Sequence, residues 1–105
     1  MAFVKADRVQ ETSTSIGTGN ITLNGIYQTS YRTFASQMTT GDTCQYLIIN
    51  VDAADEWEIG EGSYLLTGNT SYLVRTTVIS SSNANAAVTF TSGNKRVAML
   101  PPASA

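Results

Sequence analysis

Glycine-centred breaks cut this chain into short pieces. They fall at Gly17-Thr18-Gly19-Asn20, Asn24-Gly25, Gly41-Asp42, Gly60-Glu61-Gly62, Gly68-Asn69 and Gly93-Asn94. The intervals leave room for short strands but rarely for a helix of several turns. Regularly punctuated short strands are the pattern of an all-β sandwich or barrel. Ser, Thr, Asn and Gly make up well over a third of the chain. The side chains of Ser and Asn compete for backbone hydrogen bonds and favour turns, while Thr also suits strands. The aromatics and the Val/Ile runs argue against disorder, which needs a chain poor in both.

The segments between breaks read as strands. Arg8 to Ile16 and Ile21 to Tyr27 flank a glycine turn, with Ile21 and Leu23 on one face. Cys44 to Asn50 is apolar on both faces, which predicts a central strand covered on each side. In Glu56-Trp57-Glu58-Ile59 the alternation predicts Trp57 and Ile59 inward and both glutamates in solvent, with Ser63 to Leu66 continuing after the glycines. Tyr72 to Ser80 puts Leu73, Arg75, Thr77 and Ile79 on one face. Ala86 to Phe90 and Lys95 to Leu100 read as a hairpin closed by Thr91-Ser92-Gly93-Asn94. Pro101-Pro102 ends the sheet, since proline cannot donate to a ladder. Thr33 to Met38 is the one helical piece, a single turn with Phe34 and Met38 four residues apart. The prediction is all-β: a small antiparallel β-sandwich with one short helical turn, a jelly roll being one strand order it allows. It forms a single β-domain over residues 1–105, with 1–6 as an N-terminal arm and 101–105 as a C-terminal tail.

At 105 residues such a domain buries about 65% of its unfolded surface, a thin core to which partner contacts matter. Composition removes most catalytic machinery. There is no His, so Ser-His-Asp and Cys-His systems and imidazole metal sites are excluded. Cys44 is the only cysteine, which leaves no CxxC motif and no intrachain disulfide. The net charge of -2, without runs of either sign, does not attract nucleic acid. No apolar window is long enough to span a bilayer, and residues 1–11 lack the apolar core of a secretion signal.

The acidic stretch Asp52, Asp55, Glu56, Glu58, Glu61 is the main cluster of titratable groups. A hard cation needs six to eight converging oxygens, and alternation with Trp57 and Ile59 reads instead as a solvated strand face. A hydrolytic carboxylate pair, Glu58 with Glu61, would need a cleft that so small a domain has little room for. Gly17-Thr18-Gly19 precedes a strand pattern, so it reads as a hairpin turn and not a phosphate cradle. Cys44, beside Tyr46 and Ile48, reads as a small buried hydrophobe. Trp57 reads as core, with sugar stacking as the competing use, and Tyr27, Tyr31 and Tyr72 are the tyrosines available to a glycan. Arg75 on an apolar face needs a partner, with Asp55, Glu58 or a neighbouring subunit available. Thr12-Ser13-Thr14-Ser15 makes the first strand polar on both faces. That predicts an edge strand, solvated or paired with another chain. No catalytic, cofactor-binding or metal-binding residue is assigned, and no cofactor is expected.

Four stretches carry a family likeness. They are Asp7-Arg8-Val9-x-Glu11-Thr12-Ser13-Thr14 leading into Gly17-Thr18-Gly19; Trp57-Glu58-x-Gly60-x-Gly62-x-Tyr64; Leu73-x-Arg75-Thr76-x-Val78 with Ser81-Ser82-Asn83; and Val88-x-Phe90 with Gly93-x-Lys95-x-Val97. In these the chain resembles small virion structural proteins of tailed bacteriophages and gene transfer agents, and modules of phage tail-fibre proteins. The resemblance implies a non-enzymatic, oligomeric virion part: head decoration, head spike base or tail-fibre adaptor. Implied partners are identical subunits, in a trimer or pentamer, and other virion proteins, with no nucleic acid or membrane. The implied location is the virion, assembled in the host cytoplasm. A glycan- or receptor-binding β-module of a fibre is the competing reading.

Overall fold

The computed structural model describes residues 2–6, 8–53 and 55–100. Among them six strands form one antiparallel sheet: β1 (Gln10–Ser13), β2 (Ile21–Leu23), β3 (Thr43–Asn50), β4 (Trp57–Thr67), β5 (Thr70–Ser81) and β6 (Lys95–Leu100). Their order is β1-β6-β3-β4-β5-β2. The two end strands approach each other. Thr12 N donates to Gly25 O (2.9 Å), Asn24 N to Thr12 O (2.9 Å) and Tyr27 N to Gln10 O (2.9 Å). The sheet therefore wraps on itself into a nearly closed barrel.

The expected sandwich is thus corrected. A sandwich has two sheets facing across a core, whereas here a single sheet encloses it. The β4–β5 register shifts at Ile59/Gly60 and Glu61/Gly62, where β5 carries Ile79 and Thr76 as extra residues, and such bulges bend the strand that holds them. Gly60 and Gly62, read as a break, are interior positions of an unbroken strand. A Cβ on Gly60 would fall 2.3 Å from Thr77 O and 2.6 Å from Tyr46 Oη, so only glycine lets β5 and the Tyr46 ring come this close. β4 and β5 form the long hairpin, turned by Gly68 and Asn69 with Gly68 at φ 60.

One predicted pairing is reduced and another replaced. The segments 8–16 and 21–27 that flank the Gly17 turn meet antiparallel only at the Glu11–Ile26 bridge and the bonds given above, while the ladders of β1 and β2 are with β6 and β5. Lys95–Leu100 pairs β1 and β3, not residues 86–90. Val88 and Phe90 are buried in the core, and the Phe90 backbone bonds Gly17 in both directions (2.9 and 3.2 Å), which uses the groups a hairpin would need.

The core is one cluster that includes Ile21, Phe34, Cys44, Tyr46, Ile48 and Val97. The expected helical turn is a 3-10 turn at Phe34–Ser36, capped by Thr33, and both Phe34 and Met38 enter the core. β3 is central but has one buried face, Cys44, Tyr46, Ile48 and Asn50. Leu47 and Ile49 lie half-buried on the other, so the strand is not covered on both sides. Residues 2–6, read as an arm, run beside the start of β3: Thr43 N donates to Ala2 O (2.7 Å) and Val4 N to Thr43 O (2.8 Å), and Ala6 is buried. The predicted tail, 101–105, lies outside the described residues.

Candidate functional site

The interior carries more charge than the alternation predicted. Glu58 faces inward and is fully buried, while Trp57 and Ile59 are half-buried on the outer face; the expected assignment of these faces is reversed. The inward row of β4 is Glu58, Gly60, Gly62, Tyr64. Arg75 sits opposite Gly62 and reaches past the bare Gly60 to Glu58. Its Nε donates to Glu58 Oε2 (2.9 Å) and its Nη2 forms a second, short bond to Oε1. Of the partners proposed for Arg75, Glu58 is the one it has.

Every remaining donor and acceptor of this pair is engaged. Tyr46 Oη donates to Glu58 Oε2 (2.6 Å) and Val88 N to Oε1 (2.9 Å). Arg75 Nη1 donates to Gly17 O (3.1 Å) and Gly19 O (3.3 Å), and Nη2 to Val88 O (2.8 Å). Burial pushes the Glu58 carboxyl up, but Arg75, Tyr46 and the Val88 amide together hold it below its ordinary value. Burial and Glu58 raise the Tyr46 phenol. The Gly17-Thr18-Gly19 turn thus presents carbonyl oxygens to a cation, the opposite polarity to a phosphate cradle.

The rest of the acidic stretch disperses. Glu56 accepts from Thr91 N (3.0 Å), Thr91 Oγ1 (2.8 Å) and Asn50 Nδ2 (3.0 Å), and Asp52 Oδ2 accepts from Asn94 N (2.9 Å). These contacts pin the 91–94 loop, and buried Lys95 donates to Thr91 O (2.5 Å) and Gly93 O (2.9 Å) from within it. Glu61 is exposed on the opposite face of β4 from Glu58, so the two do not form a carboxylate pair. Among the described residues no three His, Cys, Asp or Glu side chains converge as metal ligands, and no pocket opens. Cys44 is buried, as expected. Burial, with Glu61 adding to it, pushes its thiol up to about 12.

The polar first strand is not a free edge. Its inward residues are Glu11 and Ser13, both buried. Glu11 accepts from Gly25 N (3.0 Å) and Phe34 N (2.7 Å), tying the barrel seam to the 3-10 turn. Burial raises its carboxyl against the pull of these amides. Its polarity serves the interior of its own barrel.

Two surface features remain. Tyr27 and Tyr31 meet edge to face at 5.7 Å, with the Arg8 guanidinium 4.0 Å from the Tyr31 ring centre and that of Arg96 4.4 Å from Tyr27. Tyr72 is not part of this group; it lies across from Leu65 and Thr22. The second feature is the outer face of β6, β3 and β4. The registers set Arg96, Ile49 and Trp57 in one row, Ala98, Leu47 and Ile59 in the next, and Leu100, Gln45 and Glu61 in the third. Apart from exposed Glu61 these residues are half-buried, and no strand or helix among the described residues lies over them. The sequence signal for this face was the second apolar face of residues 44–50, which a covered strand explained equally well. Comparison with protein-family models, curated proteins and solved structures returns no match for the chain.

Proposed function

We propose that the chain is a non-enzymatic structural subunit of a bacteriophage particle, a head decoration, spike base or fibre adaptor, working through contacts with identical subunits and other virion proteins. The observation that carries the protein-contact part of this reading is the division of chemistry between the two sides of the barrel. Glu58, Arg75, Glu11 and Lys95 are consumed by interior hydrogen bonds. The outer face of β3 and β4 instead carries Leu47, Ile49, Trp57 and Ile59, each half-buried. Apolar side chains gathered on an uncovered sheet face are what a docking surface requires. The virion setting rests on the sequence resemblance. It is tested by mass spectrometry and cryo-EM of gradient-purified particles of the parent phage. The expected result is this chain at a fixed, symmetric copy number, and its absence from the particle overturns the reading.

The Tyr27–Tyr31 pair with Arg8 and Arg96 supports a second reading, a glycan- or receptor-binding module. Aromatic rings and guanidinium donors on one surface suit sugar hydroxyls and carboxylates. A glycan array probed with the assembled protein should give hits that Tyr31→Ala abolishes; an array without hits removes this reading.

A further inference from the structure

The outer face of β6, β3 and β4 is complementary to itself. Leu47 is at its centre, and Arg96 and Glu61 occupy opposite corners. A two-fold axis lying in the face, through Leu47, perpendicular to the line between Arg96 and Glu61 and passing near Trp57, exchanges those corners. Each Arg96 then meets Glu61 of the partner subunit. The same operation sets Ile49 near the partner subunit's Ile59, brings Leu47 onto its own copy and Trp57 beside its own. The strands of the two barrels cross at a steep angle, as in orthogonal sheet packing.

Both charges are available for this contact. Glu61 is exposed and makes no hydrogen bond or ion pair among the described residues. Arg96 donates Nε to Gln10 Oε1 (2.8 Å) and stacks on Tyr27, which orients the guanidinium while its terminal nitrogens make no hydrogen bond among the described residues.

We infer that a second copy of this chain docks on this face as an isologous dimer, apolar at the centre and registered by two Arg96–Glu61 pairs. This deepens the structural-subunit reading and rests on it. A two-fold contact builds even-numbered assemblies, in place of the trimer or pentamer that the resemblance implied. Apolar contact supplies most of the affinity, and the charge pairs chiefly fix the register.

The test is light scattering and equilibrium sedimentation of the full chain over a concentration series, with far-UV circular dichroism as a fold control. The wild type should give an even-numbered mass. Leu47→Asp, on the outer face, should keep the dichroism spectrum and weaken association at least about a hundredfold, as expected for a charge at the interface centre. Glu61→Arg should weaken it about tenfold by setting two arginines together, and adding Arg96→Glu should recover most of that loss. An assembly unchanged by Leu47→Asp, or one of odd number, overturns this surface while leaving the oligomeric reading in place. A wild type that stays monomeric throughout overturns the surface and removes identical subunits from the proposed partners.

Discussion

Arg75 on β5 and Glu58 on β4 face each other inside the barrel across a glycine, and between them they hold three parts of the chain that are distant in sequence. The carboxylate takes the Val88 amide and the Tyr46 hydroxyl; the guanidinium takes the carbonyls of Gly17, Gly19 and Val88. The pair therefore adds to the one bridge, between Gly17 and Phe90, that joins the Gly17 turn to the segment before β6.

Removing either partner leaves a buried charge without compensation. Glu58→Gln and Arg75→Met should each destabilise the fold by about 3–5 kcal/mol, measured from urea midpoints. The double variant Glu58→Leu with Arg75→Met should remain well below wild type, although apolar replacement of buried pairs is often neutral. Here the Val88 amide, the Tyr46 hydroxyl and the carbonyls of Gly19 and Val88 would lose these partners as well. A double variant as stable as wild type would show that these backbone groups find water.

The pH dependence follows from the same site with a definite sign. The folded Glu58 carboxyl lies below its ordinary value of 4.5. Its stabilisation is therefore complete above that value and is lost as pH falls through it toward the folded pKa. Glu11, raised by burial, acts oppositely: just above 4.5 its contribution declines as pH rises. Urea midpoints measured from pH 3 to 7 should fall on acidification below about 4.5 in the wild type, and that fall should be shallower in Glu58→Gln. In Glu11→Gln the decline that Glu11 contributes just above 4.5 should be absent, so the midpoints there should be flatter than in wild type.

Gly60 is a steric requirement. An added methyl group would lie 2.3 Å from Thr77 O and 2.6 Å from Tyr46 Oη, and at least one of these is backbone that cannot move alone. Gly60→Ala should cost about 3 kcal/mol or more, against roughly 0.5 kcal/mol for Gly19→Ala, where nothing lies within 4 Å of the new carbon. Thermal melts of the two variants would separate the effects.

Trp57 stands on the outer face beside Ile49. Trp57→Ala should cost the isolated fold only about 1 kcal/mol, against the 3–5 kcal/mol expected of a core ring. Urea unfolding at the lowest workable protein concentration keeps association out of the measurement. A cost in the core range would return the ring to the interior.

The alternation in residues 56–59 shows why part of this molecule was legible in its sequence and part was not. Period-two patterning states that Trp57 and Glu58 lie on opposite faces. It does not state which face is inside, because that depends on what the neighbouring strands present. Tyr46 and Arg75, beside the bare face at Gly60 and Gly62, make the interior side hospitable to a carboxylate, and both of these partners arrive from other strands. The same holds for Glu11, whose partners Gly25 and Phe34 are distant in sequence.

Local chemistry did determine the all-β class, the Phe34 turn, the shared face of Ile21 and Leu23, the buried Cys44, the strand at residues 95–100 and the need of Arg75 for a partner. Turn residues, branched side chains and burial of small apolar groups act over a few positions, so they are written in the chain. Tertiary structure alone decided that one sheet closes instead of two facing each other, that β6 leaves its sequence neighbour for β1 and β3, and that the second apolar face of β3 stays uncovered. Those outcomes depend on backbone hydrogen bonds between distant segments, and any strand can offer such bonds to any other.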